Sequence, residues 1–310
     1  MTILVTGATG FVGTRLCAEL RHIGRPPRAL VRKESVTRDL EAAGHRISVA
    51  DWETGAGLEA AMEGAEAVVH CAGGGRVRRR RDYWQQNTVT TRRLLEAIAS
   101  PASTVKRLVL LSSLAAREPV SRYGESKKAA EQLTRDGSVP TAILRPPGIY
   151  GAGDDRLLPL FRSVKRGWAM VPHQHLLVPW LHVDDCVRAI IACLDSDLPS
   201  GTVLEVDDGQ PRALGDILNL IAGLMDRRPP RVVQLPAPAL YSAGAIAELG
   251  ALLRGQSTLF NRDKARELLR KDLAMDASLA RRVLGWAPQV ALEVGLAETY
   301  DWLSTQGRLG

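Results

Sequence analysis

The chain has 310 residues, of which 45% are hydrophobic and 24% charged, with a formal net charge of +7. That length holds one large domain or two modest ones, and the composition is that of a chain with a real core, not of a disordered or collagen-like one. No apolar run reaches the ~18 to 20 residues of a membrane span. Four scattered cysteines (Cys17, Cys71, Cys186, Cys193) without a CxxC spacing argue against a zinc site or a disulfide framework and read as buried thiols.

The opening stretch MTILVTGATGFVGTRLCAELRHIG reads as strand, glycine turn and helix. Ile3, Leu4 and Val5 form a short apolar strand, and Phe11, Val12, Leu16 and Leu20 recur at helical spacing. No charged and apolar leader precedes the strand, so a cytoplasmic protein without a signal peptide is expected. RALV, ISVA, AVVHCA, RLVLLSS and TAILR are further apolar runs, with helical stretches between most of them, for example at 88–99 and 126–134. Strands alternating with helices predict an α/β fold with a Rossmann-type, doubly wound parallel sheet. Beyond Gly151 the alternation weakens and prolines interrupt the pattern, although GTVLEV near 201–206 reads as a strand returning to the sheet. The expected division is a dinucleotide-binding domain over 1–150, with 181–206 returning to it, and a smaller, mainly substrate-binding region over 151–310.

TGATGFVG places Gly7, Gly10 and Gly13 between a strand and a helix. Glycines permit a tight turn and close approach of backbone N–H groups to a pyrophosphate. The helix headed by Phe11 and Val12 points its positive end at the same place. The second strand ends in Arg32 and Lys33, where an acidic residue would bind a ribose 2′-hydroxyl and select NAD. A guanidinium there pairs instead with a 2′-phosphate, so NADP(H) is expected over NAD(H), with Ser35 as a further donor. Asp51, with Trp52 beside it, ends the third strand and is placed to accept from an adenine amino group. Cys71, Ala72 and Gly73 end the fourth strand and are expected beneath the ribose and pyrophosphate.

RYGESK sets Tyr123 and Lys127 four apart, on one face of a helix. Bringing a phenol from its pKa of about 10 to near 7 takes roughly 4 kcal/mol. A neighbouring ammonium and a cationic nicotinamide favour the phenolate and together supply that order of stabilisation. Ser113 ends the strand RLVLLSS, where open α/β sheets bind their ligands. It would hydrogen-bond the reacting carbonyl while Tyr123 transfers the proton. No metal site is expected.

Together TGATGFVG, VVHCAG and YGESK resemble the extended branch of the short-chain dehydrogenase/reductase superfamily, the NAD(P)-dependent epimerase/dehydratase-like proteins. NTVTTRRLLEA resembles the helix that in relatives carries an asparagine at the position of Asn87. LRPPGIYGAGD resembles the segment that closes over the nicotinamide, and the resemblance implies Pro146 and Ile149 as neighbours of its carboxamide and Lys127 as a contact of its ribose. WLHVDDCVRAIIACL and the final RRVLGWAPQVALEVGLAETYDWL match later landmarks. Two departures stand out. Only nine residues separate Ser113 from Tyr123, and HLLVPWLHVDD has Pro179 and Trp180 where nucleotide-sugar members often carry an arginine.

The resemblance implies an enzyme with a small-molecule substrate, and three functions stay open. The favoured one is an NADP(H)-dependent reductase of ketones, or dehydrogenase of secondary alcohols, acting on a fairly hydrophobic molecule. The others are a nucleotide-sugar epimerase or dehydratase, and a redox-inert NADPH-binding protein serving assembly or sensing. Residues 235–253 carry one charge, Glu248, among many apolar residues, and read either as a core helix or as the lid of a hydrophobic pocket. GRVRRRRDYWQQN concentrates Arg76, Arg78, Arg79, Arg80 and Arg81 after the fourth strand. Its place beside the cleft points to a solvated loop or one that attracts small anions, not to nucleic acid. A homodimer is left open.

Overall fold

The computed structural model describes residues 1–75, 77, 79–172, 176–256, 258, 260–270 and 273–309. The six apolar runs of the first half form β1 (Ile3–Thr6), β2 (Arg28–Val31), β3 (Arg46–Val49), β4 (Ala67–His70), β5 (Arg107–Leu111) and β6 (Thr141–Arg145). The strand Thr202–Glu205 adds beside β6, completing a seven-stranded sheet in the order 202–205, β6, β5, β4, β1, β2, β3. Every pairing within it is parallel. β1 and β4 lie at its centre and bury all four of their residues, which is why they read as unbroken apolar runs. The chain leaves β1 toward β2 and β3, then returns to β1's other side with β4. This reversal opens the crevice at the strand ends where such sheets take ligands.

The crossovers are α1 (Phe11–His22), α2 (Arg38–Ala42), α3 (Leu58–Met62), α4 (Thr90–Ile98) and α5 (Arg122–Arg135). α5 begins before the expected residue 126 because Ser121 caps it, its hydroxyl accepting from Gly124 N at 3.0 Å. The stretch expected to be helical from residue 88 starts earlier too, as a π-helix over Trp84–Val89 that runs into α4. Thr90 Oγ1 donates to Gln85 O, five residues back, and adds to the bond that the same carbonyl accepts from the Thr90 backbone N–H across the wider turn.

The chain forms two compact units. The first comprises Met1–Pro146, Cys186–Val206 and Ser278–Trp286; the second comprises Pro147–Asp185, Asp207–Ala277 and Ala287–Gly310. Leu4, Leu30, Met62, Val68, Leu94 and Leu108 centre the core of the first. Phe161, Ile217, Leu218, Leu296 and Leu303 centre that of the second. Two parallel strand pairs, Gly148–Tyr150 with Trp180–His182 and Trp168–Val171 with Arg231–Gln234, belong to the second unit. There the helix Ala237–Leu253 corrects the core-helix reading. Of its 17 residues only Leu240 and Gly244 are buried, because its packed face is a narrow seam where Gly244 meets Asn261 O.

Within the first unit a buried ionic cluster ties α5 to two strands. Arg145 grips Glu131 with both prongs of its guanidinium, Nε to Oε1 at 2.8 Å and Nη2 to Oε2 at 2.5 Å. Ser112 Oγ donates to the same carboxylate at 2.5 Å. Glu131 is only 1% exposed, so losing it would strand a guanidinium in a nearly dry site. Glu131→Ala is expected to cost about 3–5 kcal/mol, and the pair Glu131→Met with Arg145→Met much less. Urea denaturation of the two variants checks this; an unchanged midpoint for Glu131→Ala would remove the cluster from the list of what holds α5.

Candidate active site

β1 ends in the glycine turn. Gly7 has φ +67, and a Cβ on it would lie 2.7 Å from Ala72 N and 2.8 Å from Cys71 C at the end of β4. A Cβ on Gly13 would press on Gly7 C at 2.8 Å and Ala8 Cα at 2.9 Å, so α1 sits directly against the turn. The N-cap of α1 is Gly10, no side chain caps the helix, and no acidic residue stands in its first turn. Phe11 and Val12 therefore head a helix whose positive end is not neutralised by its own side chains, and this fits the pyrophosphate of a dinucleotide.

β4 delivers Cys71, Ala72 and Gly73 to the same place. Thr6 Oγ1 accepts from Ala72 N at 3.1 Å and lies 2.7 Å from His70 Nδ1; His70 Nε2 lies 3.1 Å from Thr91 Oγ1, which donates to Asn87 O at 2.7 Å. With the Thr91 proton committed to Asn87, His70 must donate from Nε2 and accept at Nδ1. Burial, with the nearby Lys127 charge, pushes the His70 pKa down to about 3, so this imidazole is a neutral strut.

Gly73 has φ +139, and a Cβ there would lie 2.6 Å from Asn87 Oδ1 and 3.3 Å from Lys127 Nζ. The missing side chain is what lets these two groups meet at the end of β4. Asn87 Oδ1 accepts from Gly74 N at 3.0 Å, and Nδ2 donates to Ser126 Oγ at 2.9 Å; Ser126 Oγ donates to Tyr123 O at 2.7 Å. Asn87 thus bridges the glycines after β4 to the first turn of α5.

α5 carries Tyr123 and Lys127. Lys127 is buried, and its Nζ donates to Leu111 O, the last residue of β5, at 2.9 Å. Burial lowers its pKa to about 8, a fall partly opposed by the Glu131 carboxylate one turn along. Ser113 stands two residues beyond Leu111 and caps a 3₁₀ turn over Leu114–Ala116, its hydroxyl accepting from Ala115 N at 3.2 Å. Leu114 N donates to Pro146 O at 2.8 Å, so Pro146 anchors the serine turn. Ala115 O lies against Gly124, where any Cβ would collide with it, and this sets the serine turn on the helix beside Tyr123. The Tyr123 ring packs at 5.6 Å, tilted, against the buried ring of Tyr83.

The remaining expected residues are spread more widely. Arg32 and Lys33 are exposed at the end of β2, where Ser35 Oγ accepts from Arg32 N at 3.2 Å. Asp51 Oδ1 accepts from the N–H groups of Glu53 and Thr54, which hold its carboxyl below the usual range and shape its own turn. Trp52 packs 6.1 Å from His70. Ile149 is buried in the strand Gly148–Tyr150 of the second unit. Arg76 and Arg78 lie outside the described residues; Arg79 and Arg81 are exposed, and Asp82 accepts from Arg79 N at 3.0 Å. Cys17, Cys186 and Cys193 are buried, whereas Cys71 is only partly so, because the strand end it occupies faces the crevice. The expected set omitted Ser126, Tyr83 and Glu131; only Ser126, inside YGESK, had a signal in the sequence, since the other two act through contacts with remote segments.

A parallel sheet that reverses beside a glycine turn, with a buried lysine one turn from a tyrosine, defines a dinucleotide-binding enzyme of the Rossmann-type α/β class. Residues 3–206 match the NAD dependent epimerase/dehydratase family, and the chain belongs to it. It is 33% identical to a ceramide reductase of Caulobacter vibrioides, over 99% of this chain and 96% of that protein. It is 26% identical to a UDP-glucose 4-epimerase of Vibrio cholerae, over 96% of this chain and 94% of that protein. The solved structure of MoeE5 in complex with UDP-glucuronic acid and NAD has the same fold, with a TM-score of 0.75 at 23% identity over 99% of this chain and 100% of that one. The protein is thus an NAD(P)-dependent oxidoreductase or epimerase of the short-chain dehydrogenase/reductase type.

The buried ammonium has a pH signature. Below about pH 8 the folded protein carries the cost of desolvating it; between about 8 and the ordinary lysine value of 10.5 the folded protein has lost a proton that the unfolded chain still holds. Stability due to this group therefore rises with pH across that window. The stability of the cofactor-free parent relative to Lys127→Met should climb from pH 8 to 10.5 in urea titrations; a flat difference would contradict the burial of a charged lysine.

Proposed function

We propose that the protein is an NADP(H)-dependent reductase of ketones, or dehydrogenase of the matching secondary alcohols, acting on a fairly hydrophobic small molecule. The observation that carries this reading is the convergence of Lys127, Ser113 and Tyr123: the lysine on Leu111 O, the serine turn two residues on, and the tyrosine on the helix packed against that turn. The greater identity to a ceramide reductase than to a UDP-glucose 4-epimerase supports a lipid-like ketone over a nucleotide sugar. So does Trp180, which stands where nucleotide-sugar relatives often carry an arginine and packs edge-on against Tyr150 at 6.0 Å.

In the reductive direction Ser113 donates a hydrogen bond to the substrate carbonyl and Tyr123 gives its proton to the same oxygen. A bound nicotinamide would supply the hydride. Lys127, mostly protonated at pH 7 with a pKa of about 8, stabilises the phenolate left on Tyr123. Asn87 and Ser126 hold the first turn of α5 so that the phenol keeps its aim. Gly7, Gly10, Gly13 and the head of α1 would hold the pyrophosphate, and Arg32 with Lys33 would hold the 2′-phosphate.

Tyr123→Phe removes only the proton donor. It should lower turnover of NADPH with a long-chain ketone by about 10²- to 10⁴-fold while leaving NADPH affinity, read by fluorescence titration, nearly unchanged. Near-full activity would rule the tyrosine out. In the same titration NADPH should bind about ten- to a hundredfold more tightly than NADH, the effect of one charge-assisted pair. Arg32→Ala should erase most of that preference; equal affinities in the parent would return the cofactor to NAD(H). UDP-glucose in the substrate panel separates this reading from an epimerase, which would interconvert the sugar with no net use of cofactor.

A further inference from the structure

The helix Ala237–Leu253 has an outward face with nothing packed on it among the described residues. Ile246 is 72% exposed, Leu249 57% and Leu253 79%. Their spacing of three and four places them in one stripe along the helix. Three large aliphatic side chains in a row form a contiguous apolar stripe, not scattered apolar exposure. At 17 residues the helix is about 26 Å long, too short to cross a bilayer core but suited to lie along one.

The charges around this face identify its partner. Segment 237–270 contains five cations and three acids. Each acid is paired or buried: Glu248 with Arg262 at 2.9 and 3.1 Å, Glu267 with Lys264 at 3.2 Å, and Asp263 buried. Arg254, directly after Leu253, is exposed, as are Lys264 and Arg266, the latter 5.5 Å over the Tyr241 ring. A second copy on the same face would bring these cations against their equals. An anionic surface with an apolar interior matches both the stripe and these cations. The strand pair that leads into the helix has the same character: Trp168, Met170, Arg231 and Val233 all point outward, with Trp168 opposite Arg231 and Met170 opposite Val233. Tryptophan and arginine together suit the level of lipid headgroups.

We propose that the stripe Ile246, Leu249 and Leu253, with Arg254 at its end, docks the protein on the surface of an anionic lipid bilayer. The helix lies in the headgroup region with its leucines dipped toward the acyl chains. The inference rests on exposed side chains and charge, and holds whichever ketone the enzyme reduces.

Flotation with vesicles of phosphatidylglycerol and phosphatidylcholine in equal parts tests this, against vesicles of phosphatidylcholine alone. The parent should float with the anionic vesicles, less so as salt is raised. The triple variant Ile246→Ser, Leu249→Ser, Leu253→Ser should bind roughly tenfold more weakly or worse, with an unchanged melting temperature. Arg254→Glu leaves the apolar stripe intact and should also weaken binding, which keeps the test decisive if the triple variant fails to fold. A parent that stays with the soluble fraction, or a folded triple variant that floats equally well, overturns the proposal. So does a parent dimer in light scattering that the triple variant abolishes, because the face would then belong to a second copy. Flotation needs no turnover, so this outcome is separate from that of the ketone assay.

Discussion

A lysine ammonium taken out of water at the end of a parallel sheet organises the first unit. Desolvation works against the charge on Lys127, and the surroundings answer with a backbone carbonyl, Leu111 O, and a carboxylate one helical turn away on Glu131. Glu131 in turn is held by Arg145 and Ser112, so the charge balance reaches β5 and β6. On the other side Gly73 must lack a side chain for Lys127 and Asn87 to approach the end of β4. His70 stays neutral beneath them, which spares the site a second buried cation. A helix, three strands and a glycine are thus fixed around one charged nitrogen, and Tyr123 takes its position from the same helix.

This arrangement explains why the fold was readable early and the site only in part. Strands buried on both faces must be apolar throughout, so ILV, AVVH and RLVLL stood out as short runs. Gly7, Gly10 and Gly13 were legible because a steric need leaves a composition signal. The π-helix over Trp84–Val89 left none: nothing in WQQNTV marks an i→i+5 turn, which Thr90 stabilises by reaching Gln85 O. Glu131 carries no signal of its role in the sequence, because only the fold brings Arg145 and Ser112 to it. The helix Ala237–Leu253 misled in the opposite direction. Its apolar composition fits a core helix or a pocket lid, but apart from Leu240 its packed seam needs little cover, and Ile246, Leu249 and Leu253 face outward.

The two units divide the chemistry unevenly. The glycine turn, the Lys127 cluster and the serine turn all lie in the first, whose residues up to 206 contain most of the family match. The second unit holds its own core and carries the apolar helix with the cations that follow it. The lipid-like substrate proposed above would give both a common purpose. An enzyme that reduces a long-chain ketone gains from resting on the surface in which such molecules dissolve, since its substrate is scarce in water.

The direction and destination of the hydride test the central claim most directly. NADPH carrying deuterium at the transferable nicotinamide position would be incubated with a ceramide whose secondary alcohol has been oxidised to the ketone, and the product examined by mass spectrometry. The predicted result is one deuterium on the new carbinol carbon for each NADPH consumed. A product without deuterium, together with interconversion of UDP-glucose at C4 that consumes no cofactor, would contradict it and make the protein an epimerase.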